Sequence, residues 1–118
     1  MARKISVEAA DALMEGREYK NSNTEVVQIG DTAFLLVLHG NEIAEYDVAD
    51  GFLYVSDGGY TPMSSTTKER LNALPGVKLH TSKKQLILNG KKWNGESVLV
   101  VYRGQPYNFG WHEWKEDK

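Results

Sequence analysis

Residues 32–38 have the sequence Thr-Ala-Phe-Leu-Leu-Val-Leu, and this stretch decides the fold. Six of its seven side chains are apolar, which is too many for a strand with one face in water. A short, continuous apolar run is typical of a strand that is covered on both faces. We therefore predict a central β-strand over residues 32–38, with the rest of a sheet built around it.

Other strand-like runs flank this one, at residues 25–29, 42–48, 52–56, 77–80, 85–88 and 97–103. Asp50-Gly51 is a turn signal because glycine tolerates positive φ, and Asn89-Gly90 suits the type I′ turn of a hairpin. Turns that recur about every ten residues favour an antiparallel meander. The sequence thus predicts a single antiparallel sheet of about five to seven strands.

Two short helices are predicted to pack on this sheet, over residues 7–15 and 67–74. Ser6 is the expected N-cap of the first, and Gly16 can take the left-handed conformation that closes it. Thr66 and Glu69 have the spacing of a capping box at the start of the second. The fold class is therefore α+β. The residues that we expect to be largely buried are Phe34, Leu36, Leu38, Leu71, Leu74, Val98 and Val100.

The composition limits the class of protein. The chain has 118 residues, 41% hydrophobic and 25% charged, as in one globular domain. Without cysteine it has no disulfide framework and no thiolate nucleophile. A net charge of −2 weighs against a strong duplex-DNA binder. No run approaches the roughly 20 apolar residues that span a bilayer, so we expect one cytoplasmic domain over residues 1–118 and no membrane partner.

Candidate catalytic and metal-ligating residues are few. The three histidines, His39, His80 and His112, do not have the spacing of a metal-binding pair. Turn chemistry explains Asp47, Asp50 and Asp57, and helix capping explains the hydroxyls of residues 64–67. We predict a non-enzymatic protein with no catalytic residue, metal or cofactor. An enzyme with a pocket of carboxylates, His39 and tyrosines is a third hypothesis, after the two below.

Two segments carry residues that are typical of protein-binding surfaces. Tyr60 lies in a glycine-rich loop, and the second predicted helix carries Lys68, Arg70 and Asn72 on its polar side. The tail over residues 105–118 contains Tyr107, Phe109, Trp111 and Trp114, whose rings are costly to leave in water. We expect Trp111 at least to be packed, on its own domain or across a homodimer contact. The candidate partner-binding residues are Tyr60, Lys68, Arg70, Asn72, Trp111 and Trp114.

An alternative function uses a group of basic residues near the predicted hairpin, Lys83, Lys84, Lys91 and Lys92. Together with aromatic side chains they could hold single-stranded nucleic acid, by charge along its backbone and stacking of its bases. Lysines also protect strand edges against pairing with other chains, and that simpler explanation is favoured here.

Four short segments, in order, carry a resemblance to a family of small uncharacterised bacteriophage proteins. They are Asn21-Ser22-Asn23-Thr24 after the first helix, Leu38-His39-Gly40-Asn41-Glu42-Ile43-Ala44, Ser56-Asp57-Gly58-Gly59-Tyr60, and Thr66-Thr67-Lys68-Glu69-Arg70-Leu71-Asn72-Ala73-Leu74. The likeness covers residues 6–93, and the segment from Ser97 onward has no counterpart in it. It implies a phage gene product in the host cytoplasm. It supplies no site residues.

By analogy with small phage accessory proteins, the resemblance suggests a protein that binds and modulates a host bacterial protein, such as a defence or transcription component. This is the leading hypothesis for function, and single-stranded nucleic-acid binding is the alternative.

Overall fold

The computed structural model describes residues 4–59 and 63–107. Along the chain the elements are α1 (Lys4–Glu15), β1 (Tyr19–Asn21), β2 (Thr24–Gln28), β3 (Ala33–Leu38), β4 (Asn41–Asp47), β5 (Phe52–Val55), α2 (Ser65–Asn72), β6 (Leu79–Ser82), β7 (Gln85–Leu88), β8 (Lys91–Trp93), β9 (Val98–Tyr102) and β10 (Gln105–Pro106). Within these residues, two helices and sheets that are antiparallel throughout confirm the broad α+β prediction.

The large sheet has seven strands in the order β1-β2-β3-β4-β5-β9-β10. The apolar run forms β3, which pairs with β2 on one side and β4 on the other. Phe34, Leu36 and Leu38 point to one face, and Leu35 of the opposite face is also buried. The prediction of a central strand over this run is confirmed.

The prediction of a single sheet is wrong, because β6, β7 and β8 form a separate three-stranded sheet. In the large sheet β5 pairs directly with β9, for example Leu53 with Val101. Because β5 pairs with β4 on one side and β9 on the other, β6 cannot join it at either edge. Residues 56–97 therefore form an excursion that contains α2 and the small sheet.

Both helices begin earlier than predicted. α1 begins at Lys4, so Ser6 lies inside its first turn and is not the N-cap; the Ser6 side chain is fully buried. α2 begins at Ser65, and its N-cap is Ser64, whose hydroxyl accepts a hydrogen bond from the Thr67 backbone N–H at 3.1 Å. The capping box with Thr66 is thus also wrong. Ser64, two residues upstream of Thr66, offered an equally good cap, and sequence spacing alone could not choose between the two residues.

The end of α1 was predicted correctly. Gly16 has φ +70°, and its N–H donates to the carbonyl of Leu13, while the N–H of Arg17 donates to that of Ala12. These two bonds form a Schellman motif, which satisfies carbonyl groups that the helix end leaves unpaired.

The core is formed by the helices, one face of the large sheet and buried residues of the small sheet, and six of the seven residues predicted to be buried are buried. Val98 is only half-buried. It pairs with Val55 at the beginning of β9 and packs against the core. Further along β9 a β-bulge changes the alternation: Leu53 pairs with Val101 and Tyr54 with Leu99, so Val100 has no partner. Val100 and Val101 are both buried as a result, and simple alternation along β9 fails.

Candidate binding face

The residues predicted on the second helix do not form a free recognition patch. Arg70 is only 3% exposed, so the prediction that it is an exposed anchor is wrong. Its Nε donates to Thr24 Oγ1 at 2.9 Å, and its Nη1 donates to Ser6 Oγ at 2.8 Å. Arg70 thus joins α2 to α1 and β2. Sequence periodicity placed Arg70 on a polar helix face, but that face is covered by the two other elements.

Asn72 and Lys68 both link α2 to the small sheet. The Asn72 side chain donates to the carbonyl of Leu79 at 2.8 Å and accepts from the N–H of the same residue at 2.7 Å. Lys68 Nζ donates to Thr81 Oγ1 at 2.8 Å. These contacts give both side chains a role in holding β6 against the helix. Whether they also contact a partner stays a prediction.

Three further predicted binding residues, Tyr60, Trp111 and Trp114, lie outside the described residues. The prediction that Trp111 is packed therefore stays open at this point.

The four lysines lie at opposite ends of the small sheet. Lys83 and Lys84 form the turn between β6 and β7, with φ values of +50° and +67°. Lys91 and Lys92 begin β8, after the Asn89-Gly90 turn at the other end of β7. The four residues of β7 separate the two pairs by roughly 13 Å at the usual strand rise. The lysines therefore do not converge on one short groove.

The described histidines and carboxylates form no metal site. His39 lies in the β3–β4 turn with φ +52°, and its Nε2 is 3.2 Å from Asn23 Nδ2. Across residues 4–59 and 63–107, no group of three or more histidine, aspartate or glutamate side chains could hold a metal ion. In the same residues no helix is long and apolar enough to cross a bilayer.

The face of the large sheet opposite the helices carries a feature that the sequence did not predict. Strand alternation turns Leu53 and Val55 into the core and Phe52 and Tyr54 to the opposite face. From β9, Tyr102 stacks on Phe52, with ring centroids 5.1 Å apart and an angle of 11° between the planes. Tyr107 lies next to Tyr102, at 6.1 Å and 43°.

We call Phe52, Tyr54, Tyr102 and Tyr107 the aromatic strip. Its three tyrosines are 36%, 44% and 37% exposed in chain order. The Arg103 guanidinium carbon lies 5.6 Å from the centroid of the Tyr102 ring, a cation–π distance. The strip thus combines exposed aromatic surface with ring contacts that join Phe52, Tyr102 and Tyr107.

Carboxylates border the aromatic strip along β4. Glu45 pairs directly with Tyr54, and Asp47 pairs with Phe52. Glu45 and Glu42 are exposed. The Asp47 carboxylate accepts hydrogen bonds from the N–H groups of Ala49 and Asp50, at 2.9 and 3.1 Å. The bond from Asp50, followed by bonds from Thr32 and Ala49, lowers the pKa of Asp47 below its usual value of 3.8.

A polar hollow of about 490 Å³ continues this face beyond Tyr54 and Glu45. It is lined by residues 40–42, 56–59 and 95–97, among them Glu42, Asp57 and Glu96. Asp57 is fixed there because its N–H donates to the carbonyl of Gly95 at 2.8 Å and its Oδ1 accepts from the N–H of Gly59 at 2.8 Å. Two of the four segments that carry the family resemblance meet in this hollow.

Comparison with family models matches residues 2–110 to the Kyanoviridae Gp96 protein family. The chain belongs to this phage-encoded family, as the resemblance implied. The match also includes β9 and β10, for which the resemblance gave no counterpart. Comparisons with curated proteins and with solved structures give no match.

Proposed function

We propose that this Kyanoviridae Gp96 family member is a non-enzymatic accessory protein that binds and modulates a protein of the bacterial host, with the aromatic strip at the centre of the contact. One observation carries this proposal: ring contacts join Phe52, Tyr102 and Tyr107, and the exposed Tyr54 lies two residues from Phe52 on the same face of β5. Tyrosine, tryptophan and arginine dominate the binding energy of protein interfaces, and they cluster near the centre of the contact.

The size of the aromatic strip suits the centre of an interface. A buried aromatic side chain covers roughly 150–250 Å², so exposed fractions of 36–44% leave on the order of 80 Å² per tyrosine. Three tyrosines then supply about 250 Å², against about 800 Å² per partner in an interface of standard size. The remaining area would come from polar residues around the strip, which is the usual arrangement of an apolar centre and a polar rim.

The carboxylates beside the strip favour a partner with basic residues. Glu42 and Glu45 are exposed, and across the described residues neither of them forms an ion pair with lysine or arginine. The hollow beyond them adds Asp57 and Glu96. Complementary charge directs encounter and excludes wrong partners, so a host protein with lysine or arginine around an apolar patch fits this face. The same carboxylates would repel the phosphates of nucleic acid.

The experiment is capture of host proteins on the immobilised full chain, compared with two variants. Tyr54→Ser with Tyr102→Ser removes the exposed rings at two points of the strip. Val7→Ser with Ile29→Ser removes other exposed apolar side chains, which are 44% and 52% exposed, and is the matched control. Loss of an anchor residue at the centre of an interface reduces the binding free energy by about 2 kcal/mol or more, so we expect the tyrosine variant to bind the host protein at least 30-fold more weakly.

Capture that is equal for the parent chain and the tyrosine variant, or lost equally with the control, would contradict the proposal. The lysate is divided, and one half is treated with nuclease. Capture that needs intact nucleic acid would favour the alternative function through Lys83, Lys84, Lys91 and Lys92. In that case binding of single-stranded oligonucleotides should also weaken steeply with added salt.

A further inference from the structure

A groove with a chiefly apolar lining lies between the small sheet and the edge strand β10. It is formed by residues 76–78, His80, the Asn89-Gly90 turn, Pro106 and Tyr107, and its volume is about 630 Å³. Pockets that hold drug-sized ligands have volumes of roughly 300–1,000 Å³, so an indole ring fits this groove with room to spare. We call it the β10 groove.

The chain itself offers an occupant of matching chemistry. Tyr107, the last described residue, lines the groove, and its N–H donates to the carbonyl of Val100 at 2.9 Å. Eleven residues follow, and they include Phe109, Trp111 and Trp114. Trp111 is four residues beyond Tyr107, which allows it to reach at most about 14 Å from that anchor. The groove is therefore within reach of its ring.

We propose that the β10 groove is the docking site for the side chain of Trp111 of the same chain. A short tether gives the ring an effective concentration in the millimolar range at the groove, so even weak apolar contacts suffice to fill it. Pro106 and Val77 supply the apolar contact surface, and the Tyr107 ring is shared between the groove and the aromatic strip. This inference does not depend on the proposed host partner.

The test is acrylamide quenching of Trp111 fluorescence in the full chain. Trp114→Phe leaves Trp93 and Trp111, and the further change Trp111→Phe leaves Trp93 alone, so the difference reports Trp111. Trp93 is 4% exposed and provides a constant background. We expect Trp111 to emit at shorter wavelength than a free indole and to be quenched at least threefold more slowly.

Two neighbouring substitutions on β10 distinguish this groove from any other site. Pro106→Asp places a carboxylate in the groove, whereas Gln105→Asp adds the same charge on an exposed neighbour that does not line the groove. Pro106→Asp should raise the quenching of Trp111 to that of a free indole, and Gln105→Asp should leave it unchanged. Circular dichroism checks that both variants are folded.

Three outcomes overturn the proposal. The first is a Trp111 that is fully quenchable in the parent chain. The second is protection that Pro106→Asp leaves intact. The third is protection that disappears on dilution, which would mean that the tail of a second copy occupies the groove.

Discussion

Replacing Arg70 with methionine tests the role of the buried guanidinium. Arg70 donates to Thr24 Oγ1 and Ser6 Oγ, and both of these residues are 0% exposed. Methionine fills much of the same volume but has no donor. Each buried hydroxyl that loses its donor costs about 1–3 kcal/mol. Thr24 keeps a hydrogen bond to Asn23 Oδ1 at 2.8 Å, which limits its share of the cost. We expect Arg70→Met to reduce the free energy of unfolding by about 2–4 kcal/mol.

Removing the acceptors together with the donor should reverse most of this loss. With Ser6→Ala and Thr24→Val added to Arg70→Met, no polar atom of the trio is left buried without a partner. Apolar replacements of a buried polar network are often neutral or stabilising. We expect the triple variant to be within about 1 kcal/mol of the parent. Ser6→Ala alone should be destabilising, because it leaves part of the buried guanidinium unpaired.

Urea unfolding followed by circular dichroism measures these differences, provided that the m-value is unchanged. The control is Arg17→Met, which removes an exposed ion pair with Glu15 at 2.7 Å and should cost less than about 0.5 kcal/mol. A loss of less than about 1 kcal/mol in Arg70→Met, or a triple variant that is no more stable than the single one, would refute this role of the guanidinium.

Three other predictions concern single positions. Gly51→Ala should destabilise the fold by more than about 1 kcal/mol in urea unfolding, because φ is +74° and the new Cβ would lie 2.8 Å from the Gly104 backbone N. Gly40→Ala, with φ +80° and no atom within 4 Å, is the control, and an equal loss would refute the backbone clash. Burial, and then the hydrogen bond to Glu8, raises the pKa of Tyr19 above 10.0, so the stability that Tyr19 contributes should decline as pH rises beyond 10. Ultraviolet titration should show a smaller rise of the Tyr19 pKa in Glu8→Gln, and an unchanged rise would contradict the contribution of Glu8. The lowered pKa of Asp47 should make its contribution to stability decline as pH falls below 3.8, and a carboxyl titration by NMR at or above 3.8 would disprove it.

Many strands and turns of both sheets could be predicted because their signals are local. The apolar run of β3 and the turns at Asp50-Gly51 and Asn89-Gly90 all lie within a few residues of the structure that they specify. The second sheet was missed because strand pairing is a long-range choice: β5 pairs with β9, more than 40 residues along the chain. No local pattern at residues 56–97 indicates that β9, and not β6, pairs with the free edge of β5.

The binding residues were harder to predict, for the same reason. Arg70 was misplaced because its polar partners, Ser6 and Thr24, are 64 and 46 residues away in sequence. The aromatic strip joins Phe52 to Tyr102 across a strand pair that the sequence did not reveal. The local signal for the strip was the alternation of aromatic and aliphatic residues along β5, over Phe52–Val55. This alternation shows only that the rings of Phe52 and Tyr54 share a face.

Site-specific photo-crosslinking in infected or protein-expressing host cells tests the central proposal most directly. A benzophenone amino acid at Tyr102 lies in the aromatic strip, and the same group at Val7 lies on an exposed part of α1 and is the control. The proposal predicts a light-dependent adduct of defined mass with a host protein at position 102 and none at position 7. No adduct at position 102, an adduct of twice the mass of this chain, or equal adducts at both positions would contradict it.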